Sequence, residues 1–145
     1  MKKIMHYSFV YIFQEHRMSY YFSTHTDLNY EDAIAKTIEE LKKEGFGVLT
    51  QIDVKATLKN KIDVDFPRYI ILGACNPQFA HKALLSEEHI GTMLPCNVVV
   101  RKNKEGQTEV FAVDPIASMN AVENADLAPI AQEVQQKLKT VIANI

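Results

Sequence analysis

Residues 69–77 read YIILGACNP, and this stretch decides the fold. The run from Tyr69 to Cys75 is apolar on both faces, which is typical of a strand in the centre of a sheet. Asn76 and Pro77 follow directly. This pair is a strong helix start, because an Asn side chain can cap a helix and Pro is tolerated at the first helical position. The stretch therefore predicts a central strand that leads straight into a helix.

Further strand and helix patterns lie on either side. Before the central strand they are a strand over residues 19–26, a helix from Asn29 to Gly45, an alternating strand over 46–56 and a short helix after Thr57. After it they are a hairpin of 96–100 and 110–113, a short helix from Asp114 to Met119 and a helix from about Leu127. This order lacks strict βαβ alternation and has no Gly-rich phosphate loop. It predicts an α+β fold in which helices cover one face of an antiparallel sheet.

Composition excludes several functional classes. The chain has 145 residues, a formal net charge of -2 and 2 Cys, and 47% of its residues are hydrophobic. A chain of this size can bury enough surface to fold without a disulfide or a metal. The net charge argues against binding by phosphate neutralisation, so we expect no nucleic acid partner. The longest apolar run, Ile70 to Cys75, is far shorter than the ~20 residues of a spanning helix, so we expect no membrane partner.

The N-terminal residues differ from the rest. Residues 1–17 are rich in aromatics and show no helical periodicity, whereas a good strand composition begins directly after Met18. We therefore expect an N-terminal extension over 1–17, either an edge strand at Tyr7 to Phe13 or the result of an upstream start, and one α+β domain over 18–145. A basic start and a short apolar segment faintly resemble a signal peptide, but no small-residue cleavage site follows. We expect a cytoplasmic protein with free thiols.

The candidate site consists of two Cys–Asn pairs, Cys75–Asn76 and Cys96–Asn97. Cys75 ends the central strand and Cys96 begins the next one. If these strands are antiparallel neighbours, both pairs lie at the same edge of the sheet. A thiol beside a helix N-terminus has a lowered pKa, so Cys75 could be reactive.

Two other interpretations compete with a reactive thiol. Cys75 can be a small buried hydrophobe that completes a core strand, since free Cys is among the most buried residue types. A zinc site could use both cysteines with His81 and His89, but these residues lack the close paired spacing of zinc ligands. We therefore predict no metal.

Three segments resemble the family catalogued as the domain of unknown function 302. They are EGFGVLTQIDVKATL (44–58), ILGACNPQFAHKAL (71–84) and IGTMLPCNVVV (90–100). The resemblance covers residues 18–145. It implies a β-α-β4-α arrangement, in which a curved antiparallel sheet packs against a long C-terminal helix as in the TATA-binding protein. It also implies a homodimer, but no agreed activity.

Three functional hypotheses follow. In the first, the protein is a dimeric module that binds a small molecule near Cys75, Asn76, Cys96 and Asn97. In the second, it is a redox or sulfur-transfer protein that uses Cys75 with Cys96 as the resolving thiol. In the third, it is a purely structural or interaction module. The sequence leaves the cofactor and any enzymatic activity unknown.

Overall fold

The computed structural model describes residues 19–145 of the chain. Its strands are β1 (Tyr21–Thr26), β2 (Gly47–Asp53), β3 (Tyr69–Cys75), β4 (Cys96–Lys102) and β5 (Thr108–Val113). Its helices are α1 (Tyr30–Lys43), α2 (Val54–Ile62), α3 (Pro77–Ser86), a 3₁₀ helix (Glu88–Met93), α4 (Pro115–Met119) and α5 (Leu127–Ala143). The predicted edge strand at 7–13 lies outside the described residues. Across residues 19–145, no helix combines the length and apolar character needed to cross a membrane.

The strands form one antiparallel sheet in the order β1-β5-β4-β3-β2. The predicted α+β fold, with a curved antiparallel sheet and a long C-terminal helix, is confirmed. Helices α1 and α5 pack on one face of the sheet. The main core lies between them and that face, and it includes Leu41 of α1, Leu138 of α5 and Val98 and Val100 of β4. We call the opposite face the open face, because within residues 19–145 the helices α1 and α5 and the main core lie on the other side of the sheet.

Local signals explain where α1 begins and ends. The Asn29 side chain accepts a hydrogen bond from the Asp32 backbone N–H at 2.8 Å, which caps the first turn. Gly45 follows the last turn with φ of 84°, a left-handed conformation that favours glycine. The predicted helix between these two residues is confirmed.

The predicted strand over 46–56 is wrong in its last three residues, which belong to α2. The strand β2 ends at Asp53, whose side chain accepts a hydrogen bond from the Ala56 N–H at 2.9 Å and caps α2. Its predicted alternation also fails, because the register shifts between Val48 and Thr50. As a result Ile52 is substantially exposed instead of lying in the core.

Candidate functional site

The sheet brings the two cysteines to one edge. Strands β3 and β4 are antiparallel neighbours, and Ala74 lies opposite Cys96 in the register. Both cysteines are free thiols, and both line a cleft between this edge of the sheet, α3 and α5. The cleft has a volume of about 30 Å³ and its other walls are almost entirely apolar.

Burial makes Cys96 a poor nucleophile. The residue is 7% exposed. This burial, and to a smaller degree the neighbouring Cys75, raises the pKa of the Cys96 thiol from 9.0 to about 11. At neutral pH only about 1 in 10⁴ such thiols is ionised, and the thiolate is the reactive and metal-binding form. The environment of Cys96 therefore works against a role as a resolving thiol.

Asn76 does not cap α3, so this part of the sequence prediction is wrong. Its side chain makes no capping hydrogen bond. The Nδ2 group instead donates to the Glu44 carbonyl oxygen at 3.3 Å, next to Gly45 at the end of α1. Asn76 lines the cleft, but its amide links α3 to the end of α1. Pro77 at the first turn still marks the start of α3 as predicted.

Asn97 lies away from the other three predicted site residues. Successive residues of a strand point to opposite faces of the sheet. Since Cys96 is buried in the helix-covered core, Asn97 lies on the open face, where it is exposed and opposite Gly73. It does not line the cleft. The structure therefore groups Cys75, Asn76 and Cys96, and separates Asn97 from them.

The volume of the thiol cleft limits what it can hold. A volume of about 30 Å³ equals the share of one water molecule in the liquid, whereas ligand pockets usually measure about 300–1,000 Å³. A ligand of ordinary size would have to move α3 away from the sheet. Within residues 19–145, no three His, Cys, Asp or Glu side chains come together as a metal-binding group.

A larger recess lies on the open face of the sheet. Its volume is about 250 Å³, and its lining comes from β1, β3, β4, β5 and the residue before β1: Tyr20, Tyr21, Tyr69, Arg101, Glu109 and Phe111. The register explains this convergence. Tyr69 lies opposite Arg101, Arg101 lies opposite Glu109, and all three side chains lie on the open face.

Aromatic rings in edge-to-face contact form most of the wall. The Tyr21 and Phe111 ring centroids are 6.0 Å apart, and those of Phe111 and Tyr69 are 6.2 Å apart. Tyr20 extends the series at one end, 5.1 Å from Tyr21, and Phe66 at the other, 6.1 Å from Tyr69. Each such pair contributes about 0.5–1.5 kcal/mol beyond the area that it buries.

A partly buried ion pair completes the recess. The Arg101 Nε group donates to Glu109 Oε1 at 2.7 Å, and the His25 Nε2 atom lies 3.6 Å from Glu109 Oε2. The Glu109 side chain is only 13% exposed, whereas that of Arg101 is 40% exposed. The recess thus combines aromatic walls with charged hydrogen-bonding groups.

The sequence interpretation missed this recess. One signal was present: Arg101 and Glu109 lie on the two arms of the predicted hairpin, so their pairing follows from its register. The recess also needs β1 beside β5 and β3 beside β4. This strand order cannot be read from a local sequence pattern.

Comparison with known proteins agrees with the fold. A family model, "Domain of unknown function DUF302", matches residues 22–145. A crystal structure of an uncharacterized conserved protein of this family from Bacillus stearothermophilus matches with a TM-score of 0.82 and 29% sequence identity, covering 88% of this chain and 98% of that one. No curated protein matches the chain significantly. Since the family model spans most of the sequence, the chain belongs to the DUF302 family, whose function is unknown.

Proposed function

We propose that the protein is a binding module for a small planar molecule, and that the ligand occupies the aromatic recess on the open face of the sheet. The observation that carries this proposal is the continuous series of edge-to-face rings around the Arg101–Glu109 pair. Small-molecule sites typically combine apolar and aromatic walls with a few fixed polar groups. The recess has both components, whereas the thiol cleft offers almost no polar surface.

Size supports a ligand of one or two rings. An apolar cavity of about 150 Å³ holds one benzene molecule. The recess, at about 250 Å³, has room for a bicyclic ring system lying against Tyr21, Tyr69 and Phe111. Because the recess opens to solvent, a ligand has to fit only the aromatic wall and the Arg101–Glu109 pair.

The test uses the neutral probe 2-naphthamide with ¹⁵N-labelled protein. We expect amide shifts to change most on β1, β3, β4 and β5 around the recess. The variant Tyr21→Ala should bind the probe about threefold to tenfold more weakly, because one aromatic contact is lost. Leu85→Ala is the matched control, since Leu85 is 75% exposed on α3 and lies outside the recess. Shift changes confined to the cleft around Cys75 and Cys96 would overturn the proposal that the recess is the binding site, and would support the thiol site instead.

Two further expectations complete the proposal. The homodimer implied by the family resemblance stays a prediction, and sedimentation velocity of the full chain tests it. The cytoplasmic location stays a prediction as well.

A further inference from the structure

We infer that the recess selects aromatic carboxylates, and that Arg101 binds the carboxylate group of the ligand. This inference rests on the proposed function, because it names the ligand class of the same site. It starts from the donors that the Arg101–Glu109 pair leaves unused.

Arg101 has spare donors beside the aromatic walls. A guanidinium carries five N–H groups in a planar fork. Within residues 19–145, Arg101 makes one side-chain hydrogen bond, from Nε to Glu109 Oε1, and its two Nη groups make none. The end of the fork away from Nε therefore keeps parallel N–H groups. This geometry matches the two oxygens of a carboxylate.

Glu109 acts as a positioning residue for this fork. It holds Arg101 through Nε, and its own carboxylate is almost buried, with His25 on the other oxygen. The Arg101 guanidinium carbon also lies 5.9 Å from the Phe111 ring centroid, within the range of a cation–π contact. Two contacts thus fix the fork before a ligand arrives, which lowers the entropic cost of binding.

The ring and the carboxylate must be adjacent in the ligand. Arg101 lies on β4, between Tyr69 on β3 and Phe111 on β5, and both rings line the same recess. A molecule whose carboxylate is attached directly to its ring can therefore contact the walls and the fork together. A long aliphatic acid would leave the aromatic walls unused.

The experiment compares two probes of equal size, 2-naphthoate and 2-naphthamide, by calorimetric titration. The variants are Arg101→Gln and Arg101→Lys, the second of which keeps the charge beside Glu109 but loses the planar fork. The control is Arg68→Gln. Arg68 also pairs with a carboxylate, that of Glu31, and also lies near an aromatic ring, 5.4 Å from the Tyr30 centroid. It does not line the recess.

In the wild-type chain we expect 2-naphthoate to bind about tenfold more tightly than 2-naphthamide or better, because charge-assisted hydrogen bonds are the strong ones. This preference should fall to about twofold or less in Arg101→Gln, shrink in Arg101→Lys and survive in Arg68→Gln. Equal affinities for both probes in the wild-type chain would refute the carboxylate inference and leave the recess as a binding site. Binding of neither probe at about 1 mM would overturn the proposed function as well.

Discussion

The buried thiol of Cys96 should make the protein lose stability in mild alkali. In the folded state this thiol stays protonated up to pH values near its pKa of about 11. In the unfolded chain it ionises near pH 9, its ordinary pKa. Between these values the unfolded state binds fewer protons than the folded state, so the free energy of unfolding falls as pH rises.

The expected magnitude follows from that interval. Each pH unit contributes about 1.4 kcal/mol, so Cys96 should cost about 2–3 kcal/mol between pH 9 and pH 11. Urea unfolding followed by circular dichroism at several pH values measures this loss. Other groups titrate in the same range, so the quantity to compare is the difference between the wild-type chain and Cys96→Ala. Cys75→Ala should keep most of the wild-type slope, because burial is the main cause of the raised pKa.

Equal alkaline losses in the wild-type chain and in Cys96→Ala would refute this reasoning. Such a result would mean that the Cys96 thiol ionises as easily in the folded protein as in the unfolded chain. The cleft would then be polar or wet, and the thiol-chemistry hypothesis would regain support. A larger loss in the wild-type chain and in Cys75→Ala than in Cys96→Ala would instead identify Cys96 as a core residue.

The remaining predictions concern the stability of the fold that carries the thiol cleft and the aromatic recess. The midpoint of urea unfolding measures each of them. Gly45→Ala should destabilise the chain by about 1 kcal/mol or more. Gly45 has φ of 84°, and an added Cβ would lie 3.1 Å from Asn76 Nδ2. Gly47→Ala should cost less, because the added Cβ would have no neighbour within 4 Å. Leu138→Ala should cost about 2–5 kcal/mol, since Leu138 is fully buried beneath the sheet. Leu85→Ala should stay within about 0.5 kcal/mol, and an equal effect of both leucine substitutions would contradict the assignment of the core.

Sequence patterns predicted the helices and strands best where one local interaction decides the structure. The start of the first helix at Asn29 and its end at Gly45 each depend on an interaction within a few residues, and both predictions are confirmed, as is the last helix from Leu127. The end of the strand predicted over 46–56 was mistaken because the alternation continues beyond Asp53, whereas the Asp53 cap starts a helix at Val54. Alternation alone did not reveal the register shift in that strand.

The candidate sites were predictable to different degrees. Antiparallel pairing of β3 and β4 was expected, and the structure indeed places Cys75 and Cys96 at the same edge. Whether they form a functional site stays a prediction. Asn97 points to the opposite face from Cys96 because successive residues of a strand alternate. The prediction that grouped all four site residues did not take this alternation into account. The aromatic recess needed Tyr21 beside Phe111, a contact between distant segments that only the strand order creates.

The two candidate surfaces use opposite faces of the same strand. Along β4, Cys96 belongs to the helix-covered core, and Arg101 lies on the open face. The two residues are five positions apart along the strand, about 17 Å. At that distance effects on the two surfaces usually add. Chemistry at the thiols and binding in the recess are thus separable properties of one sheet, so evidence against a role for the buried thiol leaves the case for the aromatic recess unchanged.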